Sequence, residues 1–199
     1  VHRLNGQKGD FSMILHSAYL IPPALCREAA DYAESSKAYT SNRHDFHPGG
    51  LESKKQKMLQ GKLGGKAVKM MFQDNNIHFI EDNSPFDRRD EYDFLLVNEE
   101  KALLVDVKTR TKSYHTRTLE MVEQARRSPK HLYISARLYP QTNKVVLLGW
   151  FFYNDMIKKN QIENNGYLDN YVMYDEDLRP MESIFPLCLD SFKKDIRLR

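Results

Sequence analysis

Two aspartates and a lysine stand where the pattern of the chain would bring them together. Asp93 lies in the apolar run 92–97, and Asp106 and Lys108 lie near the end of the run 101–109. Both runs are typical of strands, and residues two apart in a strand share a face, so Asp106 and Lys108 point the same way. An antiparallel hairpin would set the beginning of the first strand beside the end of the second. The pattern therefore predicts that all three charges meet at one end of a hairpin.

Two carboxylates that lie close together repel each other, and a hard cation relieves that repulsion. Mg²⁺ in proteins is commonly held by one or two carboxylates together with waters and substrate phosphate oxygens. We therefore expect Asp93, Asp106 and the carbonyl of Val107 to bind Mg²⁺, for which Mn²⁺ can substitute. Lys108 would orient or deprotonate a metal-bound water and stabilise negative charge at phosphorus. These four residues predict a centre that hydrolyses phosphodiester bonds.

An acid followed two residues later by a lysine is common by chance. The predicted structure around each match therefore has to separate a catalytic pair from a chance one. Residues 52–54 and 99–101 have the same spacing, but the first match begins a helical segment and the second lies in the hairpin turn. Only Asp106 follows an apolar strand run. The alternative interpretation is a group of surface charges at a sheet edge, where a lysine discourages pairing with another chain.

The segments around these residues predict one α/β domain. With 199 residues, of which 41% are hydrophobic, the chain is large enough to bury a single core. Helical patterns cover 22–39, 51–74 and 116–128, and strand patterns cover 76–80, 92–97, 101–109, 131–139 and 144–153. From the second helix onward the order is helix, three strands, helix and two strands, which predicts a mixed central sheet flanked by helices. The last third is expected to mix short helices with loops.

One combination of residues resembles the PD-(D/E)xK nuclease superfamily. Asp93 is separated by twelve residues from Asp106-Val107-Lys108, and both follow the lysine-rich helix that contains GKLGGKAVKMMF. The resemblance implies metal-dependent cleavage of DNA on a restriction-endonuclease-like αβββαβ core, with N- and C-terminal helical additions. The core would span about 51–153, with a helical arm over 1–50 and an extension over 154–199. The extension is also similar to the tails of phage or viral nucleases of this class.

The chain departs from the family pattern at the first core helix. A glutamate is common there, whereas the matching residue is Gly65. Glu52, Asp90 or Glu91 could supply the missing carboxylate. Some branches of the family use a glutamine on the helix after the lysine strand, and Gln124 stands at such a place.

The positive charge of the chain is concentrated in two segments. The net charge is +3 overall, but residues 51–75 contain six lysines against two acids. Residues 106–130 likewise contain seven Lys or Arg side chains against three acids. Two basic segments suit a polyanion such as DNA, whereas a membrane anchor would need a long apolar run that the sequence lacks. The residues expected to contact the DNA backbone are Lys62, Lys66, Lys69, Arg110 and Lys112.

Three other motifs predict ordinary structure. HDFH at 44–47 lacks further ligands at metal-site spacing, so a loop with ordinary histidines is the better interpretation. GKLGGKA lacks both the spacing of a phosphate-binding loop and the Ser or Thr that follows its lysine. Cys26 and Cys188 are far apart and form no metal-type or redox pair, and the first twenty residues do not resemble a signal peptide. We therefore expect an intracellular, cytoplasmic protein, acting in the host cell if its source is a virus.

The sequence thus favours a Mg²⁺-dependent deoxyribonuclease, and an endonuclease in particular. Because one catalytic centre per chain cuts one strand, a homodimer is expected for duplex DNA. The alternative is a DNA-binding or protein-interaction module that has the same fold without activity, which is compatible with Gly65 in place of the helix glutamate.

Overall fold

The computed structural model describes residues 14–16, 18–36, 50–82, 92–97, 102–164, 166 and 168–189. Its helices are α1 (Pro23–Ser35), α2 (Gly50–Asp74), α3 (Val122–Arg127), α4 (Tyr153–Lys159) and α5 (Phe185–Leu189). Its strands are β1 (Tyr19–Leu20), β2 (Phe79–Glu81), β3 (Phe94–Val97), β4 (Ala102–Arg110), β5 (Arg117–Met121), β6 (Leu132–Tyr139), β7 (Lys144–Phe152), β8 (Ile162–Asn164) and β9 (Asp169–Tyr174). Most of the expected arm over 1–50, the HDFH segment included, lies outside the described residues.

The larger sheet has six strands in the order β1-β7-β6-β4-β3-β2. β2, β3 and β4 are consecutive antiparallel neighbours, β4 runs parallel to β6, and β6 is antiparallel to β7. The parallel pair needs a long crossover, which the segment between β4 and β6 provides. The prediction of an α/β domain with a mixed sheet is therefore confirmed.

Helix α2 packs its apolar side against one face of this sheet. Its buried side chains include Leu63, Ala67, Val68, Met71 and Phe72, which recur at helical spacing. From β4 the buried side chains on this face include Val105 and Val107. The alternate residues of β4, which include Asp106 and Lys108, therefore point to the opposite face.

A second sheet covers that opposite face, and the sequence did not predict it. Its strand order is β5-β9-β8. Tyr133 and Phe151 of the larger sheet form a buried cluster with Tyr171 and Met173 of β9 and with residues of α3 and α4. The expectation that the last third contains only short helices and loops is therefore wrong, because β8 and β9 lie there.

The prediction of one helix over 116–128 is also wrong in its first half. Residues 117–121 form β5, and only Val122–Arg127 are helical. Thr118 and Glu120 are buried while their neighbours are more exposed, which is the two-residue alternation of a strand. The strand forms because β9, more than forty residues away in the sequence, pairs with it: Glu120 lies opposite Tyr171.

In the part of the chain that the structure describes, no helix is both long enough and apolar enough to cross a membrane.

Candidate active site

The pairing of β3 with β4 places the two predicted aspartates side by side. Phe94 lies opposite Val105 in the antiparallel register, so the next position along sets Asp93 opposite Asp106. The backbone amide of Asp93 donates a hydrogen bond of 3.0 Å to the carbonyl of Val105. The backbone amide of Val107 donates to Oδ2 of Asp93 at 2.7 Å. The Asp93 carboxylate is therefore fixed against the backbone between Asp106 and Lys108.

The environment of Asp93 favours its protonated form. Burial raises the pKa of its carboxyl group to about 7, and the charge of Asp106 adds to that effect. Lys62, the Val107 amide and Lys108 oppose it more weakly. Two carboxylates that influence each other in this way at a half-buried site favour a cation or a proton between them.

Lys108 lies between two carboxylates on the same face of the sheet. Its Nζ is 2.8 Å from Oδ2 of Asp106 and 2.5 Å from Oε2 of Glu120. Burial by itself lowers the pKa of Lys108, but Asp106 and Glu120 outweigh it, so the pKa is raised above its usual value. Lys108 is therefore a fixed positive charge at neutral pH, and it is unsuited to act as the base that deprotonates a water.

Glu120 is a site residue that the sequence pattern did not predict. Its side chain is 3% exposed, and burial raises its pKa although Lys108 lowers it. The position of β5 brings it there: the hydroxyls of Thr118 and Ser135 are 2.8 Å apart in a buried contact. Ser135 is the register partner of Lys108 on β6. This contact holds β5 over Lys108, and Glu120 lies two residues farther along the same strand.

Tyr133 forms the floor of the site. It is the register partner of Asp106, and its ring centroid is 5.8 Å from Nζ of Lys108. Burial raises the pKa of its phenol, and the charges of Glu120 and Asp106 raise it further. Its ring stacks on Phe151 at 5.2 Å. Tyr133 thus stays neutral and supports the charged side chains with apolar packing.

Of the candidates for the missing helix carboxylate, the structure describes Glu52, which it does not bring to the site. Glu52 is exposed in the first turn of α2, ten residues before Lys62, which corresponds to about 15 Å of helix. Asp90 and Glu91 lie outside the described residues. Gln124 is partly buried on α3, beyond β5, and its accessory role stays a prediction.

The donor set suits a magnesium ion better than a metal held by many protein ligands. Among the described residues, no group of three or more His, Cys, Asp or Glu side chains is arranged to hold a metal ion. The carboxylates of Asp93 and Asp106 with a backbone carbonyl fit Mg²⁺, which keeps several waters and needs only one or two carboxylates.

The basic residues of α2 are largely engaged in ion pairs. Nζ of Lys66 is 3.1 Å from Glu28 and 3.2 Å from Glu81, and Nζ of Lys69 is 2.6 Å from Glu81. Lys62 places its ammonium 4.0 Å from the ring centroid of Tyr32. Lys66 is moreover buried, so its ammonium is not freely exposed to a ligand.

The two basic residues predicted after β4 differ in exposure. The side chain of Arg110 is 8% exposed and is ion-paired with Asp175. Lys112 is exposed in the loop that leads to β5. Their contact with DNA stays a prediction, as it does for the three lysines of α2.

No family model matches the chain, and no curated protein matches it. Among solved structures, the chain is similar to that of a bacterial homing endonuclease, I-Ssp6803I, with a TM-score of 0.39 and 13% sequence identity. The match covers 70% of this chain and 96% of that chain. A likeness of this size decides neither fold nor function, so both depend on the residues of the site itself.

Proposed function

We propose that this protein is a Mg²⁺-dependent deoxyribonuclease of the PD-(D/E)xK type, on a restriction-endonuclease-like αβββαβ core. The observation that carries the proposal is the meeting of Asp93, Asp106, Lys108 and Glu120 at one end of the β3–β4 pair. The elements α2, β2, β3, β4, α3 and β6 follow one another in the order that the family resemblance implies, with β5 of the second sheet inserted between β4 and α3, and this order supports the proposal.

Each of the four residues has a distinct task in hydrolysis. Asp93 and Asp106, with the Val107 carbonyl, would hold the metal ion, which when bound would polarise a water and the phosphodiester. Lys108 offers a positive charge to the oxygens of the phosphate as negative charge develops on them. Glu120 does not contact the substrate in this scheme; it keeps Lys108 charged and in place.

Lys108 is paired with both Asp106 and Glu120. Asp106 would share its charge between Lys108 and the metal ion, so its pair with Lys108 would be weaker when the ion is bound. Glu120 would still hold the ammonium of Lys108 in place. A third acid is therefore useful here for a physical reason, although it comes from a strand rather than from the helix.

DNA binding in this proposal depends on backbone phosphates. Lys62, Lys66, Lys69, Arg110 and Lys112 are the residues assigned to them, and counterion release gives such contacts a strong dependence on salt. Cutting both strands of a duplex with one centre per chain favours a homodimer.

The alternative is a DNA-binding or protein-interaction module of the same fold that lacks activity. It is favoured by one observation, which is that Gly65 faces open space on α2 where a glutamate would be expected.

The decisive experiment incubates the purified protein with single-stranded, duplex, flap and junction DNA, with Mg²⁺ or Mn²⁺ and, as a control, with EDTA. Cleavage of at least one substrate in the presence of the metal, and none in EDTA, is the expected result. A protein that retards the same DNA in a gel but leaves it intact under all metal conditions would contradict the enzyme assignment and favour the inactive module.

A further inference from the structure

A second cluster of charge lies on the same face of β4, two residues beyond Lys108. Arg110 and Arg137 are register partners on the parallel strands β4 and β6. Nη2 of Arg110 is ion-paired with Oδ1 of Asp175, and Nη2 of Arg137 lies 3.6 Å from Oδ2 of the same carboxylate. Two guanidinium groups thus share one carboxylate, which leaves a net positive charge.

The two arginines have more donors than the protein has acceptors for them. The Arg110 side chain is only 8% exposed. Although they are buried, Nε and Nη1 of Arg110 have no hydrogen-bond partner within the described ranges. The same holds for Nε of Arg137. Nη2 of Arg137 also donates to the carbonyl of His115 at 2.9 Å. Because unpaired buried donors are costly, this cluster has a capacity for acceptor oxygens that Asp175 alone does not fill.

Asp175 covers the arginines from the solvent side. Its side chain is 36% exposed, whereas those of Arg110 and Arg137 are 8% and 17% exposed. Its backbone is held in place, since its amide donates to the carbonyl of Thr116 at 2.9 Å. A rotation of the Asp175 side chain would therefore open the guanidinium groups to a ligand while the chain around them stays fixed.

Asp175 occupies, between Arg110 and Arg137, a place that an oxyanion from a ligand could also fill. Guanidinium groups bind carboxylates and phosphates with the same two-pronged geometry, and a backbone phosphodiester carries one negative charge, as a carboxylate does. We propose that Arg110 and Arg137 form a binding site for a backbone phosphate of DNA, and that Asp175 occupies this site until the phosphate displaces it.

The distance between this cluster and Lys108 indicates which phosphate of the DNA strand the two arginines would bind. The proposal rests on the deoxyribonuclease function and adds to it a neighbouring phosphate contact. Residues two apart in a strand are separated by about 6.6–6.8 Å, and DNA rises ~3.4 Å per nucleotide, so the bound phosphate lies one or two nucleotides from the one at Lys108. The site would set the register of the strand over the catalytic residues without reading its bases.

The test measures the affinity of the protein for fluorescently labelled DNA in EDTA, over a range of salt concentrations. Arg137→Gln should reduce the slope of log affinity against log salt by about 0.9, which is about eightfold in affinity at 0.1 M salt. Arg137→Lys should keep most of that slope, since it keeps the charge. Asp175→Asn should bind DNA several-fold more tightly than the wild type, because it removes the competing carboxylate.

Lys158→Gln is the control for charge. Lys158 is exposed on α4, which follows β7 at the end of the larger sheet away from Arg137, so its loss should change neither affinity nor slope. Equal slopes for Arg137→Gln and Lys158→Gln would overturn the proposal. So would weaker binding by Asp175→Asn with an unchanged midpoint of thermal unfolding. If Asp175→Asn fails to fold, the two Arg137 variants decide.

These outcomes are separate from those that test the nuclease itself. A protein that cleaves DNA but whose Arg137 variants bind like the control would lose only the phosphate site. A protein whose binding depends on Arg137 as described, but that cleaves no DNA, would lose only the enzyme assignment.

Discussion

The carboxylate of Glu120 lies 2.5 Å from the ammonium of Lys108. Because Asp106 contacts the same ammonium at 2.8 Å, Lys108 has a partner on each side. Charge-assisted hydrogen bonds of this kind fix the geometry of a side chain and favour its charged form. Lys108 is thus positioned before any substrate arrives, which is what electrostatic stabilisation of a transition state requires.

Replacing Asp106 or Lys108 should strongly reduce cleavage while DNA binding survives. Asp106→Asn removes a metal-ligand charge with little change of shape, and Lys108→Ala removes the charge that faces the phosphate. The loss of one preorganised electrostatic contact typically costs ~3–4 kcal/mol in transition-state stabilisation, so we expect cleavage rates to fall about 10²–10³-fold. Asp106→Asn should bind DNA in EDTA at least as tightly as the wild type, because a negative charge near the phosphate is gone.

Glu123→Gln and Lys158→Ala are matched controls for these two variants. Both residues are exposed, and Glu123 lies on α3, three residues after the buried Glu120. Cleavage rates should equal that of the wild type. If the Asp106 and Lys108 variants cut DNA as fast as these controls, the assignment of the site is wrong.

Glu120→Gln tests the role of the third carboxylate. Replacing residues that orient a catalytic group commonly costs 10–100-fold in activity, and we expect a loss of about that size in kcat. KM should change little, since Glu120 does not contact DNA in the proposed scheme. Glu120→Asp keeps the charge and should recover part of the rate. A folded Glu120→Gln variant with wild-type kcat would show that Asp106 alone positions Lys108.

The contrast between Lys108 and Glu120 explains how much of the site the sequence could predict. Asp93, Asp106 and Lys108 belong to two strands joined by a short turn, so local alternation was sufficient to place them together. Glu120 belongs to β5, whose partner β9 is distant in sequence. Viewed alone, the segment around Glu120 has the apolar spacing of an amphipathic helix, and only the long-range pairing selects the strand. The two buried residues of this strand, Thr118 and Glu120, are polar, so no alternation of apolar residues marks the strand in the sequence.

Long-range contacts also limit how well the sequence predicts the positive charge that α2 exposes. Glu81 and the lysines of α2 are close only because β2 packs beside that helix. A count of charges along the chain predicted a basic face, whereas Lys66 and Lys69 are partly neutralised by an acid from another element. Net charge by segment therefore overestimates the positive potential that this helix offers to DNA.

The raised pKa of Asp93 predicts how stability depends on pH without metal. Its pKa is about 7 in the folded protein and near its ordinary value of 3.8 when unfolded. Between these values the folded state holds a proton that the unfolded chain releases, so the stability from this group is full below the lower pKa and is lost as the pH rises through 7. In EDTA, thermal unfolding midpoints should fall between about pH 5 and pH 8, and they should fall less in Asp93→Asn.

Added Mg²⁺ should offset the fall of the unfolding midpoint at high pH. A carboxylate has to be ionised to bind the cation, so Mg²⁺ should raise the unfolding midpoint more at about pH 8 than at about pH 5. The rate of cleavage should rise with pH through about 7 for the same reason. An equal Mg²⁺ effect at both pH values, or one that persists in the Asp93→Asn and Asp106→Asn double variant, would argue against a metal ion held by these two aspartates.

Two adjacent glycines of α2 predict opposite effects of the same substitution. A methyl group at Gly64 would lie 1.9 Å from Oγ1 and 3.0 Å from Cβ of Thr109, the residue after Lys108. Gly64→Ala should therefore lower the free energy of unfolding by ~1–3 kcal/mol through overpacking, and it should reduce cleavage by shifting β4. A methyl group at Gly65 would meet no atom within 4 Å. Gly65→Ala should raise the free energy of unfolding by up to ~1 kcal/mol, because alanine favours the helix.

Chemical denaturation of the two variants measures both effects, and Thr109→Ala supplies the control. Oγ1 of Thr109 is buried without a hydrogen-bond partner among the residues that the structure describes, so its removal should cost little by itself. The double variant Gly64→Ala with Thr109→Ala should recover most of the stability that Gly64→Ala loses, because the closest clash is gone. If the two substitutions are merely additive, the helix does not approach β4 at Gly64, and α2 does not hold the strand that carries Asp106 and Lys108 in the way described.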